Sequence, residues 1–136
     1  MKQVMYRFLA GVALVAGFAG QAAAADAKCS NVNIQITNEY HDPVNGAKVD
    51  IKVVDFQYRD REDAKWRSEV TDNKTIGFKQ TAVWNKNLEY VGGETGVKIK
   101  VFFKYDQAGG GWSTDHTQES TEFKCVDGMS VPITIK

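Results

Sequence analysis

The chain has 136 residues, 43% of them hydrophobic, 11% aromatic and 25% charged, with 17 Lys and Arg against 17 Asp and Glu. That length allows one domain, and that content of apolar and aromatic residues excludes a largely disordered chain. The charge balance argues against nucleic acid or another polyanion as partner, because phosphate binding needs an excess of Lys and Arg.

Residues 1–24 have the three parts of a secretory signal. Lys2 and Arg7 form a basic start, and Phe8 to Phe18 is apolar or glycine throughout. That run is too short for a relaxed membrane span. Ala22, Ala23, Ala24 and Ala25 offer the small residues a signal peptidase needs, with the cut expected after Ala24. Cys29 follows Asp26-Ala27-Lys28 rather than a lipobox, so no lipid anchor is expected. The short basic start and the Ala-rich cut suggest bacterial export to the periplasm or the medium, with no transmembrane segment after cleavage. The remaining domain, 25–136, keeps fifteen basic and seventeen acidic residues and twelve aromatics, enough for a core.

Along that domain the dominant hydrophobic period is two, the signature of strands with one dry and one wet face. Val32, Ile34 and Ile36 alternate with polar residues, and the turn formers of 40–46 follow. Ala47, Val49, Ile51 and Val53 alternate next. The parity then flips at Val53-Val54, after which Val54, Phe56 and Tyr58 line up. A flip inside one strand predicts a β-bulge or a strand passing between sheets. Trp66, Ser68 and Val70 share a parity, as do Ile76, Phe78, Ala82 and Trp84, and both Trp66 and Trp84 read as core. Residues 85–93 have room for one helical turn at most. Val97, Ile99, Val101, Phe103 and Tyr105 give the strongest strand, with Lys98, Lys100 and Lys104 opposite. Lysine on that wet face reads as edge protection. A polar loop over 106–118 contains Gly109-Gly110-Gly111-Trp112. Phe123 with Cys125, and Val131, Ile133 and Ile135, complete the pattern.

This predicts an all-β fold, an antiparallel β-sandwich of seven or eight strands, with a closed barrel as the competing architecture. The domain contains two cysteines, Cys29 and Cys125, near opposite ends of it. In an oxidising compartment such a pair reads as a disulfide joining the first strand region to a late one. Neither sulfur is then available as a nucleophile or a metal ligand.

The stretch 32–53 is centred on Asn38-Glu39-Tyr40-His41-Asp42-Pro43-Val44-Asn45-Gly46-Ala47-Lys48-Val49. It resembles the opening hairpin of transthyretin-like domains, the class that includes carboxypeptidase regulatory domains and bacterial surface repeats. In such a turn Pro fixes φ, Gly allows a positive φ, and Ala is small enough to start a buried strand. The resemblance implies a seven-stranded immunoglobulin-like sandwich and no activity.

Candidate functional residues lie in loops. Trp112 follows three glycines, which read as a mobile loop, and an aromatic on a scaffold loop is a frequent binding anchor. Tyr40, His41 and His116 are placed to help it, and the two histidines could meet at one end of the sandwich. A competing reading is a Ca²⁺- or lipid-dependent C2-like module, in which Asp60, Glu62, Asp63, Asp106 and Asp115 would supply the oxygen ligands. Ser113, Asp115 and His116 are triad residue types, but no nucleophile elbow accompanies them. The expectation is therefore a non-enzymatic binding module without a cofactor. It would recognise a protein or a surface glycan through end loops, with Trp112, Tyr40, His41 and His116 as binding residues.

Overall fold

The chain alternates apolar and polar residues for long stretches, and each stretch becomes a strand because only the extended backbone puts every second side chain on one face. The computed structural model describes residues 29–69, 71–92 and 96–136. The export signal expected at 1–24 lies outside them. Nine strands form and, among the described residues, no helix: β1 (Cys29–Asn38), β2 (Ile51–Asp60), β3 (Arg67–Glu69), β4 (Lys74–Ile76), β5 (Thr81–Leu88), β6 (Gly96–Tyr105), β7 (His116–Glu119), β8 (Phe123–Lys124) and β9 (Ser130–Ile135).

They pack as a β-sandwich. The smaller sheet has the order β5-β1-β9. In the larger sheet, β2 and β6 pair antiparallel along their full lengths. The short strands β3 and β4 share the free edge of β2, and β7 and β8 share that of β6. The all-antiparallel expectation needs one correction. β1 is antiparallel to β5 but parallel to β9, running from Asn33 opposite Ser130 to Asn38 opposite Ile135. The chain therefore enters and leaves the fold side by side in one sheet.

The core lies between the layers. β6 buries Val97, Ile99, Val101, Phe103 and Tyr105 at every second position. β1 answers with Val32, Ile34 and Ile36, and β9 with Val131, Ile133 and Ile135. Each such side chain removed from water is worth about 1.5–3 kcal/mol. Trp84 packs edge-on against Phe56, with ring centroids 5.1 Å apart, and its indole N–H donates to the Asp72 carbonyl at 3.1 Å.

The parity flip in β2 is a bulge. Val53 faces Phe103 while Asp55 faces Phe102, so Val54 is the extra residue. The bulge lets Ile51 and Val53 before it, and Phe56 and Tyr58 after it, all face inward.

Several boundaries differ from the sequence expectation. Ala47 and Val49 are loop rather than strand, because β2 begins at Ile51. The 76–84 stretch is two strands in two sheets, with the chain crossing over at Gly77–Gln80. β1 and β2 likewise lie in different sheets, so the segment between them arches across the sandwich instead of closing a hairpin. The polar loop after β6 contains β7. Two serines extend its ladder to β6. Ser113 Oγ accepts from the Tyr105 N–H and Ser120 Oγ from the Ile99 N–H, both at 3.0 Å.

The Cys29–Cys125 disulfide forms, with Cα atoms 5.6 Å apart across a sequence separation of 96. Cys29 opens β1 in the smaller sheet and Cys125 follows β8 in the larger one, so the bond staples sheet to sheet at one end. Restricting so long a loop in the unfolded chain stabilises the fold by about 4–5 kcal/mol in the chain-entropy model. The paired Cys29→Ala, Cys125→Ala variant should therefore keep its strand signature and lose stability of that order in urea titration. A loss well below 1 kcal/mol would show that the bond does not brace the fold.

Candidate functional site

The far end of the sandwich from the disulfide is where the loops gather. Register fixes this. Ile51 lies beside both Tyr105 and Ile76, and Asn38 beside Ile135, so β1, β4, β6 and β9 finish together where β2 begins. Three connections project from that end: 39–50, 77–80 and 106–115.

One buried amide organises them. Asn38 continues the inward parity of Val32, Ile34 and Ile36, and it is fully buried. Its Nδ2 donates to the carbonyls of Val49 at 2.7 Å and Ile76 at 3.0 Å, and its Oδ1 accepts from the Tyr40 N–H at 2.8 Å. Its backbone pairs with Lys79 and Gln80. Every polar group of the residue is thus satisfied, and the roots of two loops are tied together.

The first loop is stapled by its own side chains. Asp42, itself buried, accepts from the Val44 N–H at 2.8 Å, and Asn45 accepts from the Ala47 N–H at 2.8 Å. The Gly46 N–H donates to the Asp42 carbonyl at 2.7 Å, with Gly46 at φ 74° as the turn requires. Ala47 is exposed and does not open a buried strand. The tip residue Val44 is 89% exposed. The second loop is equally closed. Gln107 donates to Gly111, Gly110 donates to Gln107, and Asp106 bridges Trp112. Gly110 and Gly111 sit at φ 96° and 82°, so the glycines build a left-handed turn where the sequence suggested a mobile loop. Between the loops lies a cleft of about 200 Å³, lined by Asp42, Val44 and Asn45 on one side and Gln107, Ala108 and Gly109 on the other, with Tyr105 completing it.

The expected binding residues divide into three groups. Tyr40 and His116 join one aromatic cluster beneath the loops with Phe103 and Tyr105. Tyr40 lies 5.1 Å from Phe103 and 5.3 Å from Tyr105, and His116 lies 5.4 Å from Tyr105. His41 does not meet His116. It packs on Phe78, centroid to centroid 5.1 Å, with the Lys48 and Lys79 ammonium groups over the same ring. Trp112 is half-buried rather than free: it lies against the larger sheet with the Lys52 ammonium 4.5 Å from its ring centre. Trp66 is not core either. It lies half-buried under Arg59 and Lys100. Trp84 is core, as its parity indicated.

The acidic residues of the Ca²⁺ reading are not brought together. Asp60, Glu62 and Asp63 lie at the disulfide end of β2, and Asp106 and Asp115 at its other end, about 30 Å away for a strand of this length. Asp60 is buried and accepts from the backbone N–H groups of Gly92 and Glu62, while Asp63 pairs with Arg67. Among the described residues no group of three or more His, Cys, Asp and Glu side chains is placed to hold a metal ion. The triad types are also separated by role. Ser113 Oγ donates to the Thr114 carbonyl, Asp115 pairs with Lys104 at 3.3 Å, and His116 stacks on Tyr105.

Sequence reasoning missed Asn38, Phe78 and the lysines over the indoles. Asn38 had a signal, since a lone amide in an otherwise apolar inward parity must find buried partners. The Lys52–Trp112 and Lys100–Trp66 pairs had none, because their members lie 60 and 34 positions apart in sequence.

Two outcomes follow. Asn38→Leu keeps the branching and the number of heavy atoms and leaves the Val49 and Ile76 carbonyls and the Tyr40 N–H unpaired, at about 1–3 kcal/mol for each buried orphan. It should lower stability by several kcal/mol in thermal or urea melts. Burial first, then Tyr105 and Asp42, raises the Tyr40 hydroxyl above its ordinary value of 10.0, and burial raises Tyr58 likewise. The unfolded chain then loses these protons before the folded one does, so their stabilisation is complete below pH 10 and is lost as pH rises through the folded values. Urea midpoints measured from pH 8 upward should fall beyond pH 10, and less steeply in Tyr40→Phe.

No family model matches this chain, and neither a search of curated proteins nor one of solved structures returns a match.

Proposed function

We propose that this is an exported binding module that recognises a protein or a surface glycan through the loops at the Asn38 end, and that it is not an enzyme. One observation carries the reading. Two loops, each closed by its own hydrogen bonds, flank a cleft of about 200 Å³ at the end away from the disulfide, and an apolar tip, Val44, stands out beside it. A pre-ordered loop loses little entropy when it binds, so such a cleft can hold a ligand with few contacts. The aromatic cluster of Tyr40, Phe103, Tyr105 and His116 gives the loops a rigid base. The disulfide supports a location outside the cytoplasm, since such bonds persist in oxidising compartments. Kinship with transthyretin-like domains belongs to the same reading, supported by the 42–47 turn with its proline, its positive-φ glycine and its capping Asp42.

NMR titration with surface glycans and with purified envelope proteins tests it. The first amides to shift should lie in 42–46 and 105–111, and Val44→Asp should weaken binding about ten-fold or more, the worth of one buried valine. A ligand that shifts neither segment, and that Val44→Asp binds as well as the parent does, would remove the loops from the reading.

A further inference from the structure

The two outer faces of the sandwich differ sharply in charge. On the smaller sheet, the outward positions run Asn33, Gln35 and Thr37 on β1, Thr81, Val83 and Asn85 on β5, and Ser130, Pro132 and Thr134 on β9, with no charged side chain. On the larger sheet, Lys52 and Arg59 of β2, Lys98, Lys100 and Lys104 of β6 and Lys124 of β8 all take outward positions, against Asp55 and Glu119 on the strands and Asp115 of the adjoining loop, which pairs with Lys104. A domain, 25–136, with slightly more acid than base thus presents one basic face. The balance of the whole chain, which argued against a polyanionic partner, conceals this.

The basic face also carries aromatic rings. Trp112 lies at its loop end beneath Lys52, and Trp66 toward the other end beneath Lys100, at 4.0 Å, and Arg59, at 4.9 Å. Phe102 sits between them, 6.0 Å from the Lys100 ammonium. Lys98 and Lys104 have carboxylate partners in Glu119 and Asp115. Lys52, Arg59 and Lys100 rest on indoles instead, and among the described residues none of the three forms an ion pair with a carboxylate. A cation on a ring face keeps N–H donors for a second partner.

We propose that this outer face, separate from the loop cleft, is a docking surface for an acidic polysaccharide of the uronate type. Charge complementarity selects an anion. The spacing selects which kind. Along β6 Lys98 and Lys100 stand about 7 Å apart and Lys100 and Lys104 about 13 Å, with Phe102 between them, so the row covers about 20 Å. Asp55 and Glu119 are interspersed among them. A polymer with one carboxylate per sugar ring can place its anions on those lysines and pass the acids by. A nucleic acid duplex, with a charge every ~1.7 Å, would press phosphates onto the acids. An acidic protein would lack the continuous apolar centre that stable interfaces need, because charge interrupts the rings of this face. Sugar rings instead present apolar C–H faces to the exposed parts of Trp66, Phe102 and Trp112, and hydroxyls to Gln57 and Thr117.

The test uses the full exported protein and four probes at low salt: polygalacturonate, dextran, a single-stranded oligonucleotide and poly-glutamate. Polygalacturonate should bind, weaken as salt rises, and shift amides of β2 and β6 rather than those of 42–46. Lys52→Gln with Lys100→Gln should weaken it about a hundred-fold, from about ten-fold per charge-assisted contact. Lys136→Gln, a charge removed from the end of the smaller sheet, should leave it unchanged. Circular dichroism and a thermal melt matching the parent establish that the double variant is folded, and Trp66→Tyr supplies a milder change to the same face. The proposal is overturned if polygalacturonate fails to bind, if dextran binds as well, if the oligonucleotide or poly-glutamate binds more tightly, or if Lys136→Gln weakens binding as much as the double variant does. Because the two surfaces are read by different amides, failure here leaves the loop cleft standing, and failure there leaves this face standing.

Discussion

The structure depends on keeping a thin apolar slab dry between two sheets. Neither layer is wide: three strands in one, and in the other two long strands with short ones along their edges. The faces bury themselves by packing together, but a sandwich has open ends where water reaches the slab. This fold closes its two ends by different chemistry. At one end a covalent bond joins the sheets at Cys29 and Cys125. At the other, Asn38 draws the roots of two loops inward while Tyr40, Tyr105, Phe103 and His116 pack over the opening. Hydrogen-bonding an amide fully inside the slab lets polar loop backbone approach an apolar core without leaving orphaned carbonyls.

That division of labour explains where recognition can sit. At the braced end Asp60 is bound to backbone amides, and Arg61 pairs with Glu122. The loop end rests on a rigid base and needs its loops only for closure, so their tips remain available. The outer face of the larger sheet is a third resource, independent of both ends, because its side chains do nothing for the slab. Its lysines read from sequence as protection of an edge strand, yet β6 is not at an edge: it lies between β2 and the short strands β7 and β8. Hydrogen-bonded neighbours on both sides leave no open edge there to protect.

How much was legible follows from range. The strand of 96–105 was plain because its alternation is local and strict. The irregularity at Val53-Val54 was also legible, since a register error in one strand shows as a parity flip in the same strand, but whether it was a bulge or a passage between sheets was decided by the pairing of β2 with β6. The disulfide was readable because only one pairing existed. The assignment of Trp66 to the core failed for a related reason. Trp66 lies just before the three-residue strand β3, and parity does not say which face is dry there when the strand's partner is unknown. Trp112 posed the same problem in a loop, where a glycine run fits a mobile segment as well as the closed turn that forms.

The sequence by itself determined the all-β class, the break in parity at Val53-Val54 and the sulfur pairing, because alternation, parity and cysteine number are properties of neighbouring residues or of a single possible pair; sandwich over barrel, and bulge over crossing, were decided by the strand pairing. Tertiary structure alone decided that β9 runs parallel to β1, that the two histidines belong to different clusters, and that the five acids of a metal reading lie at opposite ends. It alone decided as well that the basic side chains of a nearly neutral chain collect on one face. Each of these is a matter of which strand lies beside which, and the interactions that settle it connect residues tens of positions apart. A local pattern cannot carry that information.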